Sequence, residues 1–153
     1  MKEEIINSII EVCSGQDLSI LRSELHRAML IHIANFFRSE GYSVISEKPI
    51  PHKHIDRKQG GIEVQKNGFI DLFAEKDGFS VAIEFDDGTH IRKNSIEKLL
   101  QSDANMCIGI VKGRMNDALL SSNITRVEKQ AKALNIVRGI WLIIVTEKIA
   151  KRV

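Results

Sequence analysis

The chain has 153 residues, 43% of them hydrophobic and 27% charged, which suits one globular domain with a real core and argues against a disordered or fibrous chain. Its longest apolar run, Ile140 to Val145, falls far short of the ~20 residues that a membrane-spanning helix needs. A net charge of +2 is too mild to mark a nucleic-acid binder by itself.

The opening segment "MKEEIINSIIEVCSGQDLS" is acidic and amphipathic and shows no signal-peptide apolar region. A soluble, cytoplasmic protein with no membrane partner is the expectation. Ile5, Ile6, Ile9 and Ile10 give residues Glu3 to Cys13 one apolar helical side, and "SGQD" breaks that helix. A long helix is expected from Leu18 to Glu40, with Leu18, Leu21, Leu25, Ala28, Met29 and Phe36 at helical spacing and Gly41 as its stop. His26 and His32 lie on it as packing or surface residues. Cys13 and Cys107 occur in no metal-ligand spacing, so both read as free thiols.

"YSVISEKPI" reads as a strand ended by "PIP". The stretch from Lys48 to Lys66 then carries five Lys or Arg and two His against only Asp56 and Glu63, and reads as a basic loop around Gly60-Gly61. A second basic cluster, "HIRK", begins at His90. Basic surface beside an acidic pocket suits a phosphate polyanion, whereas a solvated loop explains either cluster taken alone. His52 and His54 have the spacing to contact phosphate when protonated. No thiolate pair accompanies them, which argues against zinc.

Between those clusters lies "GFIDLFAEKDGFSVAIEFDDGTH", Gly68 to His90. Asp77-Gly78 is a strongly favoured two-residue hairpin turn. If it is the turn, Lys76 faces Phe79 and the register follows: Phe73 opposite Ala82, Asp71 opposite Glu84, and Phe69 opposite Asp86. The other face pairs Ile70 with Phe85, Leu72 with Ile83 and Ala74 with Val81, all apolar, and a one-residue slip would mix the faces. Directly opposite residues have Cβ atoms about 5 Å apart, so two carboxylates there repel. A shared proton, an intervening basic side chain or a divalent cation would relieve them. Mg²⁺ suits the last case, because one or two carboxylates plus waters and phosphate oxygens commonly hold it. An exposed polar face with both acids in water is the duller explanation, although Phe69, Phe73 and Ala82 share that face.

Asn94 is the expected N-cap of the next helix, with Glu97 completing a capping box, and the helix should run to about Asn105. "MCIGIV" is a strand suited to burial on both faces. A helix in "NDALLSSNITRVEKQAKAL" and a strand from Val137 to Val145 complete the chain. The order implies an α/β (α+β) domain, a central mixed sheet containing a hairpin and flanked by helices on both faces. No repeat or linker divides it, so residues 1–153 form a single domain, with an N-terminal helical segment over 1–17 and a core of about 18–145.

The hairpin resembles the metal-binding hairpin of the PD-(D/E)xK phosphodiesterase superfamily, the restriction-endonuclease-like fold. Such members carry one acid on the first strand and an acid-x-lysine motif on the next. The resemblance implies a Mg²⁺-dependent endonuclease (Mn²⁺ as substitute) that hydrolyses phosphodiester bonds in DNA, with RNA left open. Asp71 and Glu84 would hold the metal, with Glu24 of the long helix as a third ligand. Asp86 stands where the motif has lysine and could assist as a ligand. Lys98 is the foremost replacement for that lysine and Lys93 the second. Lys53, Arg57, Lys58, His90, Arg92 and Lys93 would contact nucleic acid. "EFDDGTH" also resembles a run in small Vsr-like nucleases, which implies a general-base or phosphate-contact role for His90. Cutting both strands would call for a homodimer or a partner subunit. Two other readings remain open: a catalytically inactive nuclease-fold subunit that binds nucleic acid or protein, and an interaction domain whose acidic face receives a basic peptide.

Overall fold

In the computed structural model, which describes residues 1–56, 58 and 60–153, the elements in chain order are α1 (Lys2–Ser14), α2 (Arg22–Ser39), β1 (Ser43–Asp56), β2 (Ile62–Lys76), β3 (Phe79–Asp86), α3 (Lys93–Gln101), β4 (Met106–Val111), α4 (Leu120–Leu134), β5 (Trp141–Ile144) and β6 (Ile149–Arg152). The strands form one mixed sheet in the order β1-β2-β3-β4-β5-β6. β1 to β3 are an antiparallel meander, β3, β4 and β5 run parallel, and β6 returns antiparallel on β5.

Helices cover both faces, as the sequence pattern implies. On one face Ile9 of α1 and Leu25, Met29, Ile33 and Phe37 of α2 pack on Leu72, Ile83, Phe85, Ile108 and Ile110. On the other, Ile96 and Leu99 of α3 and Val127 of α4 pack on Phe73, Ala82, Cys107 and Leu142. All six residues of β4 are buried, because it is the strand enclosed between parallel neighbours and both helical layers. Cys13 and Cys107 are free and buried. Among the described residues no helix is long and apolar enough to cross a membrane.

Several elements differ from the sequence expectation. α2 starts at Arg22, leaving Leu21 71% exposed and outside the apolar stripe. α3 starts at Lys93, so Asn94 lies inside the helix, and no side chain caps it. The last expected strand is only Trp141–Ile144, and the chain then doubles back through a turn with Lys148 at φ 51° to make β6.

The largest difference concerns β1. It is not ended by Pro49 and Pro51 but continues to Asp56, paired with β2 from Ile62 onward, so the expected basic loop is largely a two-stranded arm. An edge strand needs backbone donors on one side only, and alternate residues turn their N–H outward. Pro49 and Pro51 have no N–H to leave unpaired there. Lys53 and Ile55, next in the same alternation, give theirs to α3: to Gln101 Oε1 at 2.7 Å and to Glu97 Oε2 at 3.0 Å. Gln101 Nε2 returns a bond to the Lys53 carbonyl at 2.8 Å, and Lys93 Nζ donates to that of Ile55.

Glu97 is therefore not a capping residue. Fully buried, it also accepts from His54 Nδ1 at 2.7 Å, and fastens the arm to the helix. Glu97→Ala leaves the Ile55 amide and the His54 ring without their acceptor, at a cost of roughly 2 kcal/mol. Urea denaturation should show that loss, and limited proteolysis should cut faster between Lys53 and Lys66. Wild-type stability together with an equally protected arm would contradict this role.

Candidate active site

The site forms where the β2–β3 hairpin comes apart. Asp77 (φ 51°) and Gly78 (φ 80°) make a tight turn with two left-handed residues, the geometry that matches strand twist. The register from Lys76↔Phe79 to Leu72↔Ile83 is the one the turn dictates, and there the ladder stops. Beyond it Ile70 lies in the core beneath α3, on the opposite sheet face from Leu72, and Phe69 is 56% exposed. The expected pairs Ile70–Phe85 and Phe69–Asp86 therefore do not form. Strict alternation fails because β2 breaks step at Asp71. Continued pairing would send the Phe85 N–H to the Ile70 carbonyl. Instead it donates to Asp71 Oδ2 at 2.9 Å, so a carboxylate takes the place of a ladder bond.

That substitution sets the Asp71 and Glu84 carboxyl groups side by side, close enough for each to shift the other's titration. Glu84 is 2% exposed. Burial, and then the Asp71 charge, push its carboxyl up to about 9. Burial alone would raise Asp71 as well. Hydrogen bonds from His26, Glu84 and the Phe85 amide outweigh that effect and hold it below its ordinary value. With one carboxyl raised and the other lowered, the pair holds one proton near neutral pH.

Lys98 of α3 reaches the same spot. Its Nζ lies 2.5 Å from Glu84 Oε1 and donates to the Phe69 carbonyl at 2.7 Å. That carbonyl belongs to the segment where β2 has left the ladder, so the break supplies the lysine with its anchor. Glu84 Oε1, although close to Nζ, receives no well-directed hydrogen bond and is otherwise buried without a partner. Gly68 leaves the lysine room: a Cβ there would come within 3.0 Å of His52 Cε1 and 3.2 Å of Lys98 Cδ.

The side of α2 facing the hairpin contributes His26, not Glu24. His26 Nε2 is 3.5 Å from Asp71 Oδ2, and its ring lies 5.9 Å from that of Phe85. The Asp71 carboxylate, which accepts from the ring, raises the imidazole against the opposing effect of burial. Glu24 is exposed, and among the described residues no hydrogen bond or ion pair joins it to the acid pair. The only available signal for His26 was its i, i+4 relation to Arg22 on a helix face that also carries Met29. Such a pattern fits an ordinary packing histidine equally well.

Asp86 is buried beside the pair but engaged elsewhere. Its Oδ2 accepts the Arg92 N–H at 2.8 Å, and its Oδ1 accepts from Ser95 Oγ at 3.3 Å with Arg92 Nε at 3.4 Å. It closes the loop into α3 and contributes no free oxygen toward Glu84. Burial raises its carboxyl against these bonds.

The expected nucleic-acid contacts are scattered. His90 is held by Thr89 Oγ1 at 2.9 Å and Ser122 Oγ at 3.3 Å, on the α4 side. Arg92 bridges Asp86 and Asp87, while Lys93 is bound to β1. Lys53 pairs with Glu63 at 3.1 Å, Lys58 is exposed, and Arg57 lies outside the described residues. His54 is tied to Glu97, and burial holds His52 below its ordinary value, so neither is free for phosphate.

No protein-family model matches the sequence, and no curated protein matches it either. Among the described residues no three His, Cys, Asp or Glu side chains gather as a ready metal cage. The donor set is instead two adjacent carboxyl groups, one with an oxygen lacking a directed donor. That set fits Mg²⁺ or Mn²⁺, which complete their shells with water and phosphate oxygens.

A glutamate raised in the folded state favours folding most below its unfolded value of 4.5 and loses that contribution as pH rises through about 9. Metal-free protein should therefore lose stability between about pH 5 and 9, as read from melting temperatures. Glu84→Gln keeps the hydrogen-bonding pattern without the titration, so its melting temperature should fall less over the same range. Parallel profiles for the two proteins would refute the shared proton.

Proposed function

We propose that the chain is a divalent-metal-dependent phosphodiester hydrolase of the PD-(D/E)xK kind that nicks DNA. The single observation that carries this reading is the convergence of Asp71, Glu84 and Lys98 at the end of the broken hairpin ladder. Two acids and a lysine meet there even though the lysine comes from α3, fourteen residues after Glu84.

Asp71 and Glu84 would hold Mg²⁺ or Mn²⁺, which when bound acidifies water and neutralises charge on a phosphate. The chain's own contribution is positional and electrostatic. The Phe85 amide and His26 fix the Asp71 carboxylate. The Phe69 carbonyl fixes Lys98, whose amine can orient an attacking water and offset charge developing on the phosphoryl oxygens. Asp71 opens onto a groove of about 370 Å³ lined also by His26, Arg27, Arg38, Ser46 and Glu47. Its two arginines offer phosphate contacts along α2 that the sequence reading had assigned to the arm and the "HIRK" run. Duplex DNA fits this groove better than a stacked single strand, since aromatic residues are only 5% of the chain. Two cuts would require a second copy or a partner subunit.

Binding without cleavage is favoured by one observation: Asp86 occupies the motif-lysine position and is bonded to the Arg92 amide. Nicking of supercoiled plasmid separates the two readings. With Mg²⁺ or Mn²⁺ the wild type should nick, and Glu84→Ala and Lys98→Ala should each be slower by about 10²-fold or more. A wild type that binds plasmid and does not cut it, or a Glu84→Ala protein that cuts equally well, removes the hydrolase.

A further inference from the structure

A second cavity lies at the carboxyl ends of the parallel strands, where α/β sheets commonly receive ligands. Its volume is about 550 Å³, and β3, β4 and β5 each contribute the residues that follow them: Asp87 and Gly88, Lys112 to Met115, and Thr146. Leu18, Ser19 and Arg22 close it from the α2 side. Its charge is lopsided, with Arg22, Lys112 and Arg114 against Asp87 alone.

Asp87 does not cancel this excess, because it positions Arg22: its Oδ1 accepts from Arg22 Nε at 3.2 Å and Nη2 at 2.9 Å. The Arg22 side chain remains 69% exposed. Among the described residues Lys112 makes no ion pair, and Arg114 meets Asp117 only at 3.6 Å on the surface. Thr146 Oγ1 is buried without a hydrogen-bond partner. Glycines keep the walls low. A Cβ on Gly88 would stand 3.1 Å from Arg22 Nη2, and Gly113, at φ 83°, would place one 2.2 Å from Thr146 Oγ1. Three cations, an unpartnered hydroxyl and a glycine-lined rim match an oxygen-rich anion better than a cation or an apolar ligand.

The cavity is in line with the acid pair. Arg22 and His26 are one helical turn apart on α2, ~6 Å along its axis. Asp87 is three residues beyond Glu84, ~10 Å at strand rise. Measured along a duplex axis at ~3.4 Å per nucleotide, these spans correspond to about two to three nucleotide steps. We infer that the cavity formed by Arg22, Lys112, Arg114 and Thr146 is a phosphate subsite, which holds a backbone phosphate of the polynucleotide strand lying across Asp71. The inference deepens the proposed function and rests on it for the identity of the ligand.

The test is equilibrium binding of a fluorescent duplex oligonucleotide in EDTA, where no cleavage is needed, across a salt series. Lys112→Ala/Arg114→Ala should bind at least tenfold more weakly at low salt. Its plot of log K against log salt should be shallower by about two units, one per lost cation. Lys129→Ala/Lys132→Ala, which removes two exposed cations from α4, is the charge-matched control and should stay near wild type. Equal weakening in both pairs would mean a net-charge effect and overturn the subsite, as would unchanged binding in the first pair at unchanged melting temperature. If inorganic phosphate raises the wild-type melting temperature through Lys112 and Arg114 while duplex binding ignores them, the site serves a small phosphate and the strand assignment falls. Duplex binding that depends on Lys112, in a protein that never nicks plasmid, would retain the subsite and remove the hydrolase. Nicking with binding indifferent to Lys112 would do the reverse.

Discussion

The whole arrangement depends on one exchanged hydrogen bond. The Phe85 amide, which an unbroken hairpin would pair with a backbone carbonyl, is taken by the Asp71 carboxylate. The exchange ends the ladder and draws Asp71 onto Glu84, and just beyond the break the Phe69 carbonyl anchors Lys98. Two buried carboxyl groups in contact cannot both be ionised at modest cost, so in the absence of metal the pair keeps a proton. Under the proposed function, a divalent cation would take the place of that proton, beside the Lys98 amine that already lies 2.5 Å from Glu84 Oε1.

α3 connects fold and site. Its apolar side, Ile96, Leu99 and Leu100, closes one core, while Glu97 and Gln101 complete the outer edge of β1 and Lys98 reaches Glu84. Its start is fixed by Asp86, which accepts from the Arg92 amide and the Ser95 hydroxyl, and that contact sets where Lys98 lands. A helix bonded to β3 at its start and to β1 at its end is well suited to hold a cationic group in place.

Much of this was readable because the signals were local. Asp-Gly between alternating strands dictates a register as far as Leu72 and Ile83; Asp71 and Glu84 meet just beyond it, although not as the ladder pair that the register implies. Lys98, one turn into the following helix, then falls within reach. What escaped the sequence depends on neighbours distant along the chain. Pro49 and Pro51 look like a strand end unless β1 is known to be an edge whose outward donors α3 satisfies. Ile70 continues the apolar alternation perfectly, yet it lies on the other face because Asp71 has displaced a backbone bond that no spacing rule anticipates. His26 and Glu24 are two positions apart on one helix, and only the angle at which α2 crosses the sheet decides which of them meets Asp71. The basic runs were visible, but their cations are largely engaged in holding the fold. The cations that line the two grooves, Arg22, Arg27, Arg38, Lys112 and Arg114, are instead spread along the chain.

The proton shared by Asp71 and Glu84 is the central claim, and calorimetric titration of Mg²⁺ or Mn²⁺ near pH 7 in two buffers of different ionisation enthalpy measures it directly. Binding should release about one proton per metal, with affinity rising as pH rises, and Glu84→Gln should abolish both the binding and the release. Metal binding that releases no proton, or that survives in Glu84→Gln unchanged, would contradict the account.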